Sequence, residues 1–453
     1  MKVLKFGGTS VGSPERIRHV ARLITGERNI VVLSAMSGTT NTLVEICDYL
    51  YKKNQAGARD TVNSLEAKYV TVVNELFDDS DRQCSGTRGG AALSAATRQA
   101  HRSAMDTVTR CFAYIRSLMA VEFTETDEKE ILAQGELIST ALMCACLRLS
   151  GVNAVLLPAL KFMRTDDNGE PDMKYISVRL KRLLDMNPEA DIYITQGFIC
   201  RNAYGDIDNL QRGGSDYTAS IIGAALDLEE IQIWTDIDGL HNNDPRFVAG
   251  TRPVDELHFE EAAELAYFGA KILHPACVLP ARLHNIPIRL LNTLEPDKPG
   301  TLIHNTVPAQ RIKAVAARDG ITAISIKSGR MFLAYSFLLK VFETFERHCT
   351  PIHLVATSEV GVTVAVDSEA PVKSIVDDLM AFSTVSIDTD MVIICVAGDL
   401  EWHNAGFESA AMQALSDIPV RMISYGGSNY NIAFVVGADS KVDVLNALQQ
   451  KLF

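Results

Sequence analysis

The chain has 453 residues, 47% hydrophobic and 22% charged, a composition that excludes a disordered or collagen-like polymer and leaves room for about three domains. With 43 Lys and Arg against 56 Asp and Glu, the net charge of −13 argues against nucleic acid or an anionic membrane as a partner. Nine scattered cysteines without a C-x-x-C pair, an N-terminus reading MKVLKFGGTS and no apolar run of about 18 residues predict a cytoplasmic chain without disulfide framework, signal peptide or membrane-spanning helix.

Val3–Phe6 reads as a short apolar strand carrying one lysine, Lys5, broken by Gly7-Gly8-Thr9-Ser10. Ser13 can cap a helix that Pro14 opens, and Ile17, Val20, Ala21 and Ile24 share its face. Asn29–Leu33 is a second buried strand, followed by the small-residue loop 34–41 and a helix marked by Leu43, Ile46, Cys47 and Leu50. This alternation predicts an α/β fold with a mostly parallel central sheet covered on both faces. Residues 54 to 120 show no strand, and Tyr69, Val72, Val73 and Leu76 have helical spacing. A helix from Asp127 to Leu149 is stopped by Gly151. Strands follow at Asn153–Leu157, Asp191–Thr195 and Ile231–Thr235, with a helix at Asp216–Leu226 between the last two. The Pro-, Gly- and charge-rich stretch Asn292–Ile303 marks the end of a first domain, drawn at 1–305.

The remaining third changes rhythm. Strand Ile321–Lys327, a helix through Leu338, Val341, Phe342 and Phe345, strands Ile352–Ala356 and Gly361–Val366, a helix near Pro371 and strand Thr384–Ile387 form one β-α-β-β-α-β copy. Strand Met391–Val396, a helix near 404–415, strands Val420–Ser424 and Asn431–Val436 and helix Val442–Leu452 begin a second. The second copy (391–453) lacks its last strand, and the apolar stretch Ile312–Ala317 ahead of the first copy (306–390) can supply it, so the two α+β, ferredoxin-like modules are expected to interleave.

Four turns could carry chemistry. Lys5 beside Gly7 and Gly8 could cradle a phosphate, though a plain tight turn reads the same way. In Arg212-Gly213-Gly214-Ser215-Asp216 the arginine could grip a carboxylate and Ser215 or Asp216 could simply cap a helix. Thr235-Asp236-Ile237-Asp238-Gly239 puts carboxylates at a strand end, where open α/β sheets bind ligands. Gln134-Gly135-Glu136 interrupts a helix with a glycine beside a carboxylate that could meet an amino group.

Taken together, KFGGTS at 5–10, RGGSD at 212–216, WTD at 234–236 and FGAKILHP at 268–275 closely resemble the aspartokinases, over essentially the whole chain. The resemblance implies an amino-acid-kinase-like sandwich followed by two ACT regulatory modules. It implies transfer of the γ-phosphoryl group of ATP to the β-carboxylate of L-aspartate, with Mg²⁺ bridging phosphate oxygens. The length leaves no room for a fused homoserine dehydrogenase, so the chain resembles the monofunctional enzymes. By motif, Lys5 and Asp216 are the expected catalytic residues. Gly7, Gly8, Thr235, Asp236, His241, Arg246 and Lys271 are the expected ATP contacts beside Lys5; Thr40, Glu136, Arg212 and Ser215 are those of aspartate. Met331, Phe337, Leu338, Ile352, His353, Thr357, Ser358 and Glu359 fall where an effector amino acid, lysine or threonine, would bind. Gln211 replaces the family's usual glycine, His241 a common tyrosine, and His353 the aspartate of lysine-inhibited relatives, which disfavours a lysine ammonium there. A homodimer or dimer of dimers through the ACT modules is expected. Another acidic-amino-acid kinase and a non-catalytic amino-acid sensor are the alternatives.

Overall fold

The computed structural model describes residues 1–85, 95–210, 213–270, 273–306, 312–328, 336–358, 361–401, 403–404 and 406–453. It divides into two compact units, Met1–Gly239 with Ala276–Asn305, and Leu240–Pro275 with Thr306–Phe453. The domain drawn at 1–305 differs from this division in one segment: 240–275 groups with the second unit.

The first unit begins with β1 (Val3–Phe6), α1 (Pro14–Leu23), β2 (Asn29–Leu33), α2 (Thr39–Tyr51), α3 (Gln55–Ser85), α4 (Ala95–Leu118) and α5 (Glu125–Leu149). Next come β3 (Ala154–Leu156), α6 (Met173–Asp185), β4 (Ile192–Gln196), β5 (Ile199–Arg201), β6 (Ile207–Asn209), α7 (Gly214–Leu226) and β7 (Ile231–Thr235). The chain makes β8 (Glu256–His258) and α8 (Phe259–Tyr267) of the second unit, then returns with α9 (Pro275–Leu283), β9 (Ile288–Asn292) and β10 (Thr301–His304). Strands β3, β4, β2, β1, β7 and β9 lie parallel in that order, and β10 pairs antiparallel with β9. β1, β2 and β4 are buried along their whole length, which is why they read as unbroken apolar runs. Parallel pairing brings the loops after β1, β2, β4 and β7 to one edge of the sheet.

Local chemistry explains most boundaries. Ser13 accepts from Arg16 N and Pro14 opens α1, whose Ile17, Val20 and Ala21 are buried as their spacing predicts. α5 starts at Glu125, two residues earlier than expected, because Thr124 and Asp127 form a capping box. By length and composition α5 could span a bilayer, which the sequence reading did not find; here Ile131, Ile138, Leu142 and Leu147 are core residues of the first unit. Stretch 54–120 is, among the described residues, the helix pair α3 and α4, packed with α5 around Tyr69, Phe77 and Phe112. The sequence reading does not anticipate α6, the β5–β6 hairpin, α9, β9 or β10. Part of the stretch it took as a boundary, Asn292–Ile303, is the turn from β9 to β10, with Gly300 at φ 66° where a Cβ would strike Leu290 O.

The second unit continues with β11 (Ile312–Ser328), α10 (Phe337–Arg347), β12 (Leu354–Ser358), β13 (Gly361–Asp367), α11 (Val372–Met380) and β14 (Ser383–Gly398). It ends with α12 (Phe407–Ala414), β15 (Val420–Tyr425), β16 (Asn431–Gly437) and α13 (Lys441–Leu452). One antiparallel sheet orders β12, β13, β11, β14, β16 and β15. Four short strands expected from the sequence are two long ones, each running through both modules. β11 and β14 change register near Gly320 (φ 72°) and Asp390 (φ 53°). Ile312–Arg318 pairs with Ile393–Gly398, so the second module's fourth strand comes from ahead of the first module. Separate cores form around Val341, Phe345 and Ile375 in the first module and around Phe434, Leu445 and Leu448 in the second.

α8 packs on β14 and β11, and Asn431 donates to Glu264. The turn after it needs Gly269: φ is 112°, and a Cβ would lie 2.3 Å from Ala317 O. Gly269→Ala is expected to destabilise the second unit by about 2 kcal/mol or more. Urea unfolding followed by circular dichroism reads this; an unchanged midpoint contradicts the close packing.

Candidate active site

The centre of the first unit's ligand edge is an ion pair. Lys5 lies on the central strand β1, and its Nζ is 2.5 Å from Asp216 Oδ1, with side-chain exposures of 10% and 15%. Asp216 is held by the first turn of α7, which Gly213 opens at φ 77° without a side-chain cap. The amides of that turn thus keep their partial positive charge for an anion. Gly7 lies beside the lysine: a Cβ there would stand 3.6 Å from Lys5 Nζ, an ordinary contact. Its N–H donates to Trp234 O at 3.3 Å, and Phe6 stacks on Trp234, which ties the loop to β7. On the other flank the turn after β4 touches α7 backbone to backbone. A Cβ on Gly197 would lie 2.5 Å from Ser215 Cβ, and one on Gly214 would lie 2.6 Å from the Phe198 ring. Phe198 itself sits at φ 69°, an uncommon conformation for a residue with a side chain.

A second cluster reaches the same loops from α5. A Cβ on Gly8 would meet Ala35 O at 2.7 Å, and Ser37 N donates to Gly8 O. Gly135 serves the same purpose from within α5, since its Cβ would lie 2.7 Å from Ala35 Cβ. The helix glycine thus lets α5 come close enough for Ala35 N to donate to Glu136 Oε1 at 3.1 Å. Glu136 is buried and its Oε2 has no hydrogen-bond partner. Burial pushes this carboxyl up to about 8, against the Ala35 amide that favours its charged form. Ser139 donates to Ser34 O and Gln196 donates to Thr140 Oγ1, which fixes α5 to the ends of β2 and β4. The sequence reading missed these two supports; Gly135-Glu136 was the only local signal. Thr40 is half-buried in the first turn of α2, which Gly38 opens at φ 80°.

The remaining expected contacts are distributed differently. Thr235 ends β7, accepts from Ile237 N, and receives Thr293 N at its carbonyl; Asp236 is exposed. His241 and Arg246 belong to the second unit. His241 Nδ1 meets Thr251 Oγ1 at 3.0 Å, and Arg246 forks onto Asp244, holding that carboxyl below its usual range. Gln211, Arg212, Lys271, Met331 and Glu359 lie outside the described residues.

Of the expected effector residues, Phe337 is buried, Leu338 is exposed on α10, and Thr357 and Ser358 are exposed at the end of β12. Ile352 packs against the first module's core. His353 is turned inward. Its Nδ1 pairs with Tyr267 OH at 2.9 Å, its Nε2 lies 3.1 Å from Asp367 Oδ2, and its side chain is 3% exposed. Burial, with the Arg318 charge, pushes its pKa down, against the Asp367 carboxylate that favours the charged ring.

The first unit thus carries a lysine–carboxylate pair at the ligand edge of a parallel sheet, and paired βαββαβ modules follow it in the chain. Residues 1–292 match the amino acid kinase family and 394–452 match an ACT domain. The chain is 31% identical to the lysine-sensitive aspartokinase 3 of Escherichia coli, covering 100% of this chain and 99% of that protein. It is 32% identical to the chloroplastic aspartokinase 3 of Arabidopsis thaliana, covering 100% and 81%. Its structure is similar to the crystal structure of Escherichia coli aspartokinase III in complex with aspartate and ADP (R-state), with a TM-score of 0.84, 29% identity and 100% of both chains covered. The T-state crystal structure of that protein, with lysine and aspartate, gives 0.79 at 30% identity over 100% and 99%. The chain belongs to the aspartokinases.

Glu136 has a stability signature. Between about pH 4.5 and about pH 8 the native carboxyl keeps a proton that the unfolded chain has released. Unfolding free energy therefore falls with rising pH across that window. Glu136→Gln is expected to remove this part of the slope in urea titrations from pH 5 to 8. An unchanged slope contradicts a buried, upshifted Glu136.

Proposed function

We propose that the Lys5–Asp216 centre transfers the γ-phosphoryl group of ATP to the β-carboxylate of L-aspartate, giving 4-phospho-L-aspartate. The observation that carries this reading is the pairing of a nearly buried lysine with Asp216 at the uncapped start of α7, next to loops that also hold Glu136. The acceptor needs no base, because a carboxylate with a pKa near about 4 is already ionised at neutral pH. Charge neutralisation and alignment therefore carry the rate.

In this scheme Lys5 stabilises the transferring phosphoryl group, and Asp216 orients the Lys5 ammonium and the substrate. The free Oε2 of Glu136 receives the α-ammonium of aspartate, which restores its ionised form. Thr40 and Ser215 donate to the substrate, and Arg212 clamps the α-carboxylate. Gly7 and Gly8 let the phosphates approach the backbone. Thr235 and Asp236, at the end of β7, contact the nucleotide. Mg²⁺ enters with its substrate as Mg·ATP. The ACT modules bind an amino-acid effector near Leu338, Thr357 and Ser358. The inward His353 stands where the aspartate of lysine-inhibited relatives is expected, with the Asp367 carboxylate beside it, and the effector is lysine or threonine. The modules also join subunits into a homodimer or a dimer of dimers.

Lys5→Ala is expected to lower aspartate-dependent ADP release by about 100-fold or more. A coupled assay with Mg·ATP, with and without L-aspartate, measures it; undiminished release by the variant contradicts the role given to Lys5.

A further inference from the structure

α3 grips the turn that opens α2 at two neighbouring residues, neither of which the motifs single out for function. Lys68 Nζ donates to Ser37 O at 3.1 Å on the exposed rim. One residue on, Tyr69 OH and Thr39 Oγ1 share a 2.8 Å hydrogen bond with both residues 1% exposed.

The turn needs such an anchor. Gly38 opens α2 in the left-handed region and no side chain caps the helix, so neither backbone preference nor a cap fixes its first residues. Thr39 is held from the other side by α5: a Cβ on Gly135 would lie 3.2 Å from Thr39 Cγ2. Thr39 is therefore wedged between the Tyr69 hydroxyl and the helix position next to Glu136, and Thr40 follows it. Burial is the main cause that raises the Tyr69 phenol pKa; the Thr39 hydrogen bond works against it, and the charge of Glu136 adds to it.

We infer that Tyr69, through its hydrogen bond to Thr39, is a positioning residue for the aspartate end of the site, holding Thr40 and the open N-terminus of α2 against Glu136. This rests on the reading of Thr40 and Glu136 as aspartate contacts. Removing the phenol oxygen leaves the Thr39 hydroxyl buried without its partner, so the turn shifts to find another. The nucleotide end, built on Lys5, Gly7, Gly8 and β7, meets this turn through Ser37 N and Gly8 O, on the Lys68 side of Gly38 rather than at Thr39. The effect is therefore selective for one substrate.

Steady-state kinetics of Tyr69→Phe, Thr39→Val, their double variant, Thr39→Ser and Glu136→Gln test it, with thermal melts alongside. Tyr69→Phe is expected to raise KM for aspartate about 3- to 10-fold while leaving KM for Mg·ATP within about twofold. Thr39→Val does the same, the double variant is no worse than the worse single one, and Thr39→Ser retains wild-type KM. If Thr39→Val does not fold, Tyr69→Phe, which keeps the buried ring, decides. An unchanged aspartate KM in Tyr69→Phe, or equal rises in both KM values, overturns the inference. If Glu136→Gln raises the aspartate KM and Tyr69→Phe does not, only the positioning role falls. If Glu136→Gln leaves that KM unchanged, the reading of the site falls and the inference with it.

Discussion

A lysine on the innermost strand of a parallel sheet is the constraint from which the rest of the site follows. Desolvating an ammonium ion costs several kcal/mol unless a counter-charge is close. Asp216 meets that need at 2.5 Å from the start of α7. Stability alone gives no reason for the arrangement, since an apolar pair would serve the sheet as well. In the proposed scheme its value is electrostatic: a positive group is held in place before any phosphate arrives, and needs no reorganisation during transfer. The open first turns of α2 and α7 add further partial positive charge at the same edge of the sheet.

Holding this centre in place requires backbones to touch. Gly8 and Gly135 let the loop after β1 and helix α5 close on Ala35, and Gly197 with Gly214 lets the turn after β4 close on α7. Each contact leaves no room for a methyl group, so these glycines set distances rather than supply flexibility. Glu136 shows the cost of the design. It is buried with one carboxylate oxygen unpartnered, and its upshifted pKa is the consequence. In the proposed scheme the α-ammonium of aspartate relieves that cost and couples substrate binding to the protonation of one side chain.

Much of this was legible in the sequence. Lys5 and the apolar runs around it fixed β1, β2 and the parallel sheet, and Ser13 with Pro14 fixed the start of α1. The incomplete second βαββαβ copy, with Ile312–Ala317 left over, pointed to the pairing of β11 with β14. The continuity of those strands was not legible, because Gly320 and Asp390 read as breaks although each only shifts the register. The inward turn of His353 depends on Tyr267, 86 residues away, and on Asp367 at the end of β13, and no local pattern reports such contacts. Tyr69 was visible only as one apolar position in a helical stripe; its hydroxyl gains meaning from Thr39, thirty residues away.

The account stands on phosphoryl transfer at the Lys5–Asp216 centre, and trapping the product tests that most directly. An acyl phosphate reacts with hydroxylamine to give a hydroxamate, whereas ATP hydrolysis does not. Wild-type protein with Mg·ATP, L-aspartate and hydroxylamine should form hydroxamate in step with ADP, and Asp216→Asn should form about 100-fold less. ADP released without hydroxamate, or equal hydroxamate from Asp216→Asn, would contradict it.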